Sequence, residues 1–366
     1  MISYTSPEMC GALALFVIGA WLPPRKYQAQ VMALITAGFL GIYAPLSLCL
    51  LSATTLLVYL LVGRRQPDTR AVIAATVVIG ATLAFFKLRT SSSGGALLIP
   101  LGLSYYAFRQ IHYIFEAYKN RLGKKSLANF VYYLYFLPTL IVGPIHRYHP
   151  FTRDLSRRRW DAGKFSGGLE RILFGYLKVT VLAHYLTKIT ISVERLEVGG
   201  FLQSYLNSVA SWANLYLQFS GYSDIAIGVA ALAGFEIMEN FKFPFLAKNI
   251  NEFWSRWHIS LTSWCREYVF QPTVSFTRKP LVSVVVTMVI LGLWHEISLR
   301  YILWGLYHAI GIAVWHLFQK IKPGLLRAVP AYFELPGRVL SVLITLNFVI
   351  VSYPVTLYVQ NQLWRS

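Results

Sequence analysis

Charged residues are scarce in this chain. Only 13% of its 366 residues are Asp, Glu, Lys or Arg, about half the share found in a typical soluble domain. The three cysteines, Cys10, Cys49 and Cys265, have neither metal-ligand nor redox spacing. The sequence has no internal repeat, no low-complexity tract and no linker long enough to separate domains. These absences argue against a soluble globular protein, a disulfide scaffold or a repeat array, and they predict a single domain over residues 1–366.

Apolar residues are abundant where charged residues are scarce. They make up 56% of the chain and are spread along its whole length, and a helix that crosses a membrane needs about 20 of them in succession. The sequence therefore predicts an all-α fold, a polytopic integral membrane helical bundle with about 10–12 membrane segments. N-terminal spans are expected over residues 10–95 and a C-terminal span over 338–360. Two neighbouring segments are expected at 202–219 and 221–238.

The charge that is present is mostly positive. The formal net charge is +19, and the basic residues cluster in short loops between apolar segments. This is the positive-inside pattern, which places those loops on the cytoplasmic face beside anionic lipid headgroups. An acidic substrate or an acidic partner protein on that face is the alternative explanation. No nucleic-acid-binding module accompanies the charge, so nucleic acid is not an expected partner.

The loop charges conflict with a simple membrane crossing at residues 127–145. Basic loops precede and follow this apolar segment, although one crossing would place them on opposite faces. The segment contains Pro138 and ends in Gly143-Pro144, which predicts a broken helix. We interpret it as a re-entrant hairpin on the cytoplasmic side, whose non-helical backbone must be buried or line a cavity. The basic loop that follows, residues 146–159, is expected at the cytoplasmic mouth of that cavity.

Residues 249–272 are too polar for a lipid-facing span, yet their tryptophans recur at helical spacing. They predict an amphipathic or re-entrant helix that carries His258 directly after Trp257. A second histidine, His295, follows Trp294 at the end of a later apolar segment. Ionisable groups at membrane depth are costly, so each of these two histidines is a candidate functional residue.

Each histidine taken alone is most simply a buried imidazole hydrogen-bonded to backbone. Together, two imidazoles that meet in a buried cavity suit general-base removal of a hydroxyl proton. No metal site is expected, because Leu299 occupies the second ligand position of a metalloprotease motif beginning at His295. No activated serine or cysteine is evident, which favours direct group transfer over a covalent enzyme intermediate.

Four stretches of the sequence resemble the membrane-bound O-acyltransferase (MBOAT) family, in the family's order, over about residues 98–320. They are Pro100 to Tyr106 with Tyr118 and Lys119, Gly143 to Ile145, Phe219 to Asp224, and Phe253 to Trp264 with Gly292 to His295. The chain most resembles the bacterial branch that includes alginate O-acetylase and the D-alanyl transfer protein of teichoic acid synthesis. The resemblance implies a bundle with a thinned centre, a tunnel joining the two membrane faces, and location in the bacterial inner (cytoplasmic) membrane.

The resemblance also assigns roles to residues. It implies that His295 is the catalytic histidine and that His258 is its active-site partner. The residues expected to bind substrate or line the tunnel are Trp257, Trp294, Arg256, Ser223, Asp224, Pro144 and Glu296. Ser223 and Asp224 fit a satisfied polar pair between helices equally well. Glu296 replaces a glycine of many relatives, and its carboxylate either acts on the nearby imidazole, faces a basic loop or pairs with Arg300.

The activity implied by the resemblance is transfer of an acyl group, acetyl or D-alanyl-like, from a cytoplasmic thioester to a hydroxyl of a cell-envelope or extracellular glycan. The donor, acyl-CoA or an acyl-carrier protein, is a co-substrate, and no bound cofactor is expected. The 146–159 loop would receive the phosphates of coenzyme A or an acidic carrier, and an extracytoplasmic acyl-transfer protein is a further candidate partner. Two alternatives stay open: a lipid or oligosaccharide transporter without chemistry, and an acyltransferase acting on a lipid or protein acceptor.

Overall fold

The computed structural model describes residues 3–63, 65–92, 99–123, 125–194, 199–326 and 334–363. Within these ranges the chain is helical and has no strand, which confirms the predicted all-α fold. The α-helices, in chain order, are α1 (Pro7–Trp21), α2 (Gln28–Tyr43), α3 (Pro45–Val58), α4 (Thr69–Ser92), α5 (Leu103–Tyr118), α6 (Leu127–Leu134), α7 (Tyr148–Arg157), α8 (Ala162–Tyr176), α9 (Ala183–Glu194), α10 (Gly200–Leu232), α11 (Ile250–Arg256), α12 (Ile259–Cys265), α13 (Gln271–Thr277), α14 (Pro280–His295), α15 (Leu299–Leu326) and α16 (Glu334–Leu363).

The helices group into two compact units. The first unit contains residues 1–182 and 217–239, and the second contains residues 183–216 and 240–366. Helix α10 contributes residues to both. The predicted organisation as one membrane domain stays a prediction.

Several helices in the described ranges have the dimensions of membrane spans. Five are long and apolar enough to cross a bilayer. They cover Pro45–Gly63, Thr69–Arg89, Ala162–Ile189, Leu299–Ile321 and Leu335–Gln360. Three shorter apolar helices, α1, α2 and α14, accompany them. The multi-pass membrane architecture is therefore confirmed, and the number of crossings stays a prediction.

Helix α10 differs from its prediction. It is a single helix of 33 residues, where the sequence predicts separate segments at 202–219 and 221–238. The predicted boundary falls at Ser220 and Gly221, but no proline interrupts the helix there. Glycine is well tolerated inside long apolar helices, so hydrogen bonding continues through the boundary.

The helix break predicted within residues 127–145 is present in the first unit. Helix α6 ends at Leu134, and the only regular structure before α7 is one turn of 3-10 helix, Leu137–Thr139. The hydroxyl of Tyr4 lies 2.7 Å from the carbonyl oxygen of Pro138 and 2.5 Å from that of Val142. Buried backbone outside a helix needs partners of this kind. Whether the segment re-enters the membrane stays a prediction.

The basic segment after this break is anchored by Arg158. Its guanidinium donates to the carbonyl oxygen of Ala233 at 2.8 Å and to the side-chain oxygen of Gln28 at 2.6 Å. Burial lowers the pKa of Arg158 to about 10, so the group stays charged at neutral pH. Arg157 and Arg159 on either side are exposed. The fixed cation of Arg158 therefore lies between two exposed ones.

Residues 249–272, in the second unit, do not form the one continuous helix that the sequence predicts. Helix α11 ends at Arg256, and α12 begins at Ile259 after a break of two residues. A π-helical turn, Arg266–Phe270, then leads into α13. Trp254 lies in α11, Trp257 in the break and Trp264 in α12. The break thus falls inside a run of residues with helical spacing, which explains why the sequence pattern did not reveal it.

Candidate active site

His258 occupies the break between α11 and α12. Its backbone lies in the left-handed region, with φ 43° and ψ 53°, a conformation that costs a residue with a Cβ about 1–3 kcal/mol. Its carbonyl oxygen accepts hydrogen bonds from the backbone N–H groups of Leu261 and Thr262, both at 2.9 Å. The imidazole is only 3% exposed. Such strain persists only where surrounding structure fixes it, and it is frequent at functional sites.

Asn240 helps to fix the backbone and the imidazole of His258 in place. It is fully buried. Its Oδ1 lies 3.1 Å from His258 Nδ1 and accepts from the hydroxyl and backbone N–H of Ser260 at 2.7 and 3.4 Å. Its backbone carbonyl accepts from the N–H of Ile259 at 2.9 Å. A backbone N–H can only donate, so the atom facing Ser260 is the amide oxygen, and His258 must donate from Nδ1. The neutral imidazole therefore carries its proton on Nδ1 and a lone pair on Nε2.

His295 is the last residue of α14, and two glycines allow α14 to approach α15 closely. A Cβ on Gly292 would lie 2.1 Å from the carbonyl oxygen of Tyr301, and one on Gly305 would lie 2.5 Å from that of Met288. Any larger residue at either position would push the helices apart. His295 is exposed at the helix end, so the structure differs from the expectation that both imidazoles are buried.

Trp294 lies close to both histidines. The centre of its ring system is 6.0 Å from the imidazole of His258 and 4.6 Å from that of His295. His295 is close enough to act electrostatically on His258. The structure therefore places in one compact unit the two histidines that the sequence pairs.

Further aromatic rings extend the site along α15, and sequence reasoning did not assign them a role. His295 stacks on Tyr301 at 5.5 Å and meets Trp304 edge-on at 5.4 Å. Trp304 in turn lies 4.5 Å from His308, which is fully buried. Among the described residues, neither ring nitrogen of His308 has a hydrogen-bond partner. The spacing of Trp304 and His308, one helical turn apart, is the signal that could have identified them.

The MBOAT, membrane-bound O-acyltransferase family model matches residues 84–324, which is more than half of the chain and includes both histidines. The chain belongs to the membrane-bound O-acyltransferase family.

Three relatives show the range of similar proteins. The chain is 31% identical over 320 residues to a probable alginate O-acetylase AlgI of Pseudomonas fluorescens, covering 82% of this chain and 63% of the relative. It is 29% identical over 273 residues to a teichoic acid D-alanyltransferase of Bacillus subtilis, covering 69% and 67%. It is 28% identical over 285 residues to a peptidoglycan O-acetyltransferase of Helicobacter pylori, covering 69% and 53%. The chain thus spans about half to two thirds of the length of these relatives.

Two residues of the Arg-Trp-His stretch shared with the family have intramolecular partners. Trp257 is buried and stacks on Phe253 with 5.7 Å between ring centres. Arg256 donates to the carboxylate of Glu252 at 2.6 Å and to the carbonyl oxygen of Lys242 at 3.3 Å. These contacts hold the end of α11. A role of either side chain in binding substrate stays a prediction.

Glu296 is exposed after the end of α14. It interacts electrostatically with Arg300, but the described residues include no ion pair between them. The guanidinium of Arg300 instead lies 3.6 Å from the ring centre of Tyr353, a cation–π contact. The suggested ion pair between Glu296 and Arg300 is therefore not formed, because the aromatic ring of Tyr353 holds the cation.

Asp224 is a partly buried ionic group of the first unit. Its Oδ1 accepts from Arg171 Nε at 3.1 Å, and its Oδ2 accepts from Lys178 Nζ at 2.5 Å. Glu239 binds the same guanidinium through Nη1 at 2.6 Å. A cleft of about 310 Å³ adjoins the network and is lined by Arg171, Lys178 and Asp224 among others. The geometry of Asp224 is that of a satisfied polar contact between α8 and α10.

The remaining predicted tunnel residues also lie in the first unit. Ser223 is 2% exposed, and Pro144 is buried, with its carbonyl oxygen accepting from the N–H of His146 at 2.9 Å. Across the described ranges, no group of three or more His, Cys, Asp or Glu side chains is arranged to hold a metal ion.

Proposed function

We propose that this protein is an O-acyltransferase that moves an acyl group, acetyl or D-alanyl-like, from a cytoplasmic thioester to a hydroxyl of a cell-envelope or extracellular glycan. The observation that carries the proposal is that His258 and His295 both lie close to Trp294 in one unit of an MBOAT chain. The relatives are named for alginate, teichoic acid and peptidoglycan, which supports a hydroxyl-bearing polymer as acceptor.

His295 acts as the general base in this mechanism. The acceptor oxygen attacks the thioester carbonyl carbon while His295 takes the hydroxyl proton, so that a C–O bond forms. The tetrahedral intermediate then expels the thiolate as the C–S bond breaks, and the imidazolium returns its proton to sulfur. The products are one ester and one thiol, with no covalent enzyme intermediate. The exposed position of His295 supports this role because substrates can reach it.

His258 orients substrate rather than stabilising the oxyanion. With Nδ1 donating to Asn240, the neutral ring has a lone pair at Nε2 and no hydrogen there to donate. It can accept a hydrogen bond from a second substrate group, such as a neighbouring sugar hydroxyl. The indole N–H of Trp294, or that of Trp257, is the proposed donor to the oxyanion. Ser223, Asp224 and Pro144 are proposed to shape the tunnel wall.

The decisive experiment is acyl transfer by the purified protein in vesicles. The protein is reconstituted with a radiolabelled acetyl or D-alanyl thioester, presented on coenzyme A or a carrier protein, and a soluble glycan acceptor. We expect label in an alkali-labile ester on the glycan. A transporter would instead move glycan or lipid without any donor and form no ester. Label on lipid or protein alone would favour the alternative acceptor classes.

The donor is proposed to arrive at the basic 146–159 segment on the cytoplasmic face of a bacterial inner membrane. Arg157 and Arg159 are exposed there, and exposed cations attract the phosphates of coenzyme A or an acidic carrier protein. An extracytoplasmic acyl-transfer protein is the proposed partner on the opposite face where the glycan is not reached directly.

Reversing the charge of Arg157 and Arg159, two exposed arginines of this segment, is expected to weaken donor capture. The double variant Arg157→Glu/Arg159→Glu should raise KM for the donor roughly tenfold at low salt, with kcat nearly unchanged, because rim charges act mainly on association. The difference should shrink as salt screens the charges. The measurement is KM for the donor at two ionic strengths. Arg278→Glu/Lys279→Glu, the same charge change at two exposed residues between α13 and α14, serves as control, and an equal effect in that variant would contradict a specific docking surface.

A further inference from the structure

Asn240 lies outside every stretch that the sequence singles out, yet its side chain contacts His258 directly. Its side-chain oxygen accepts three hydrogen bonds, from the Nδ1 of His258 and from the hydroxyl and backbone N–H of Ser260. Its backbone carbonyl closes the first turn of α12 through Ile259. One residue therefore fixes the imidazole, the helix start and the left-handed backbone between them.

We infer that Asn240 is a positioning residue, which holds His258 in the Nδ1–H tautomer and so presents Nε2 to substrate as a hydrogen-bond acceptor. A free imidazole interchanges its tautomers, and the hydrogen bond at one nitrogen decides what the other can do. Asn240 can only accept at Oδ1, because Ser260 donates to that atom from its backbone. The inference rests on the proposed acyl transfer, in which His258 contacts substrate.

The surroundings of His258 also include an aromatic ring and a second histidine. The imidazole is buried. The ring system of Trp294 meets it edge-on, with 6.0 Å between ring centres. His295 is a titratable neighbour that acts on it electrostatically. Because His295 gains and loses a proton during the reaction, a fixed tautomer at His258 keeps the substrate contact constant through that change.

The first test reads the tautomer directly. The full-length protein is labelled with ¹⁵N-histidine in detergent micelles, and the His258 signals are assigned by their loss in His258→Gln. We expect the wild type to show a protonated Nδ1 and an unprotonated Nε2. In Asn240→Leu, which keeps side-chain size but removes the acceptor, the two nitrogens should move toward averaged values. An Nε2–H tautomer in the wild type would overturn the inference whether or not the protein transfers acyl groups.

The second test measures how substitutions at Asn240 change kcat/KM and its dependence on pH. Asn240→Leu is expected to lower kcat/KM by about 10–100-fold, the typical cost of losing a partner that orients a histidine. Asn240→Asp retains an acceptor and should restore most of the activity at high pH. The added carboxylate favours protonated His258, which has no lone pair at Nε2, so the acid limb of the pH–rate profile should move to higher pH.

Ser260→Ala is the matched control, because it removes another hydrogen bond to the same oxygen and leaves the Nδ1 contact intact. We expect it to change kcat/KM by less than threefold and to leave the pH profile in place. If Asn240→Leu does not fold, the pH shift of Asn240→Asp still tests the inference. An unchanged profile in Asn240→Asp, or equal losses in Ser260→Ala and Asn240→Leu, would contradict it. Absence of any transfer by the wild type would contradict the proposed function instead.

Discussion

Replacing His295 with glutamine is expected to lower kcat for acyl transfer by about 10²–10⁴-fold, the usual cost of losing a general base. Glutamine keeps the size and a hydrogen-bonding end, but its amide cannot take a proton at neutral pH. The side chain is exposed at the end of α14, so the substitution should leave folding intact. The measurement is the initial rate at saturating donor and acceptor, on protein that stays monodisperse in detergent.

The chain offers a matched control for this experiment. His316 also follows a tryptophan, with 4.8 Å between the two rings compared with 4.6 Å for the pair at His295. It is exposed and lies in the same unit. His316→Gln should change the rate by no more than about twofold, as expected for a surface substitution. A similar loss in both variants would point to a general effect of removing histidine and would remove His295 from its catalytic role.

The pairing of His258 with His295 could be predicted because both lie in recognisable stretches of the sequence. The backbone at His258 could not, since one left-handed residue leaves the hydrophobic spacing on either side unchanged. Asn240 was missed for a related reason. It contacts His258 through tertiary structure, from 18 positions upstream, and nothing in its immediate neighbours marks it as special.

Some contacts of the predicted site residues could be predicted from the sequence, and others depend on how distant helices pack. Arg256 forms an ion pair with Glu252 one helical turn away, a spacing that is visible in the sequence. Arg300 instead lies over Tyr353 on α16, and that contact depends on how distant helices pack. Helix α10 continues without interruption at Gly221, because a glycine permits a helix to end but does not require it to end. Local patterns therefore predicted the all-α class and the histidine pair, whereas the bounds of some helices and the polar contacts around the histidines depend on the folded structure.

Removing the carboxylate of Asp224 is expected to destabilise the first unit more than removing that of Glu239. Asp224→Ala would leave Lys178 without its partner and Arg171 with only one, inside a helix that is a candidate membrane span. Breaking a largely buried ion pair in this way typically costs several kcal/mol. Since the two cations are about 30% exposed, we expect about 2–3 kcal/mol. Thermal unfolding in detergent measures the loss.

Glu239→Gln is the control, because Glu239 is 52% exposed and Arg171 keeps Asp224 when it is changed. Its cost should stay below about 1 kcal/mol. Adding Lys178→Met to Asp224→Ala should recover part of the lost stability, since the stranded charge is then removed. These variants also separate the two interpretations of Asp224. Loss of stability with recovery in the double variant supports a polar contact that holds α8 to α10. Unchanged stability with loss of acyl transfer would instead assign Asp224 to the path of the substrate.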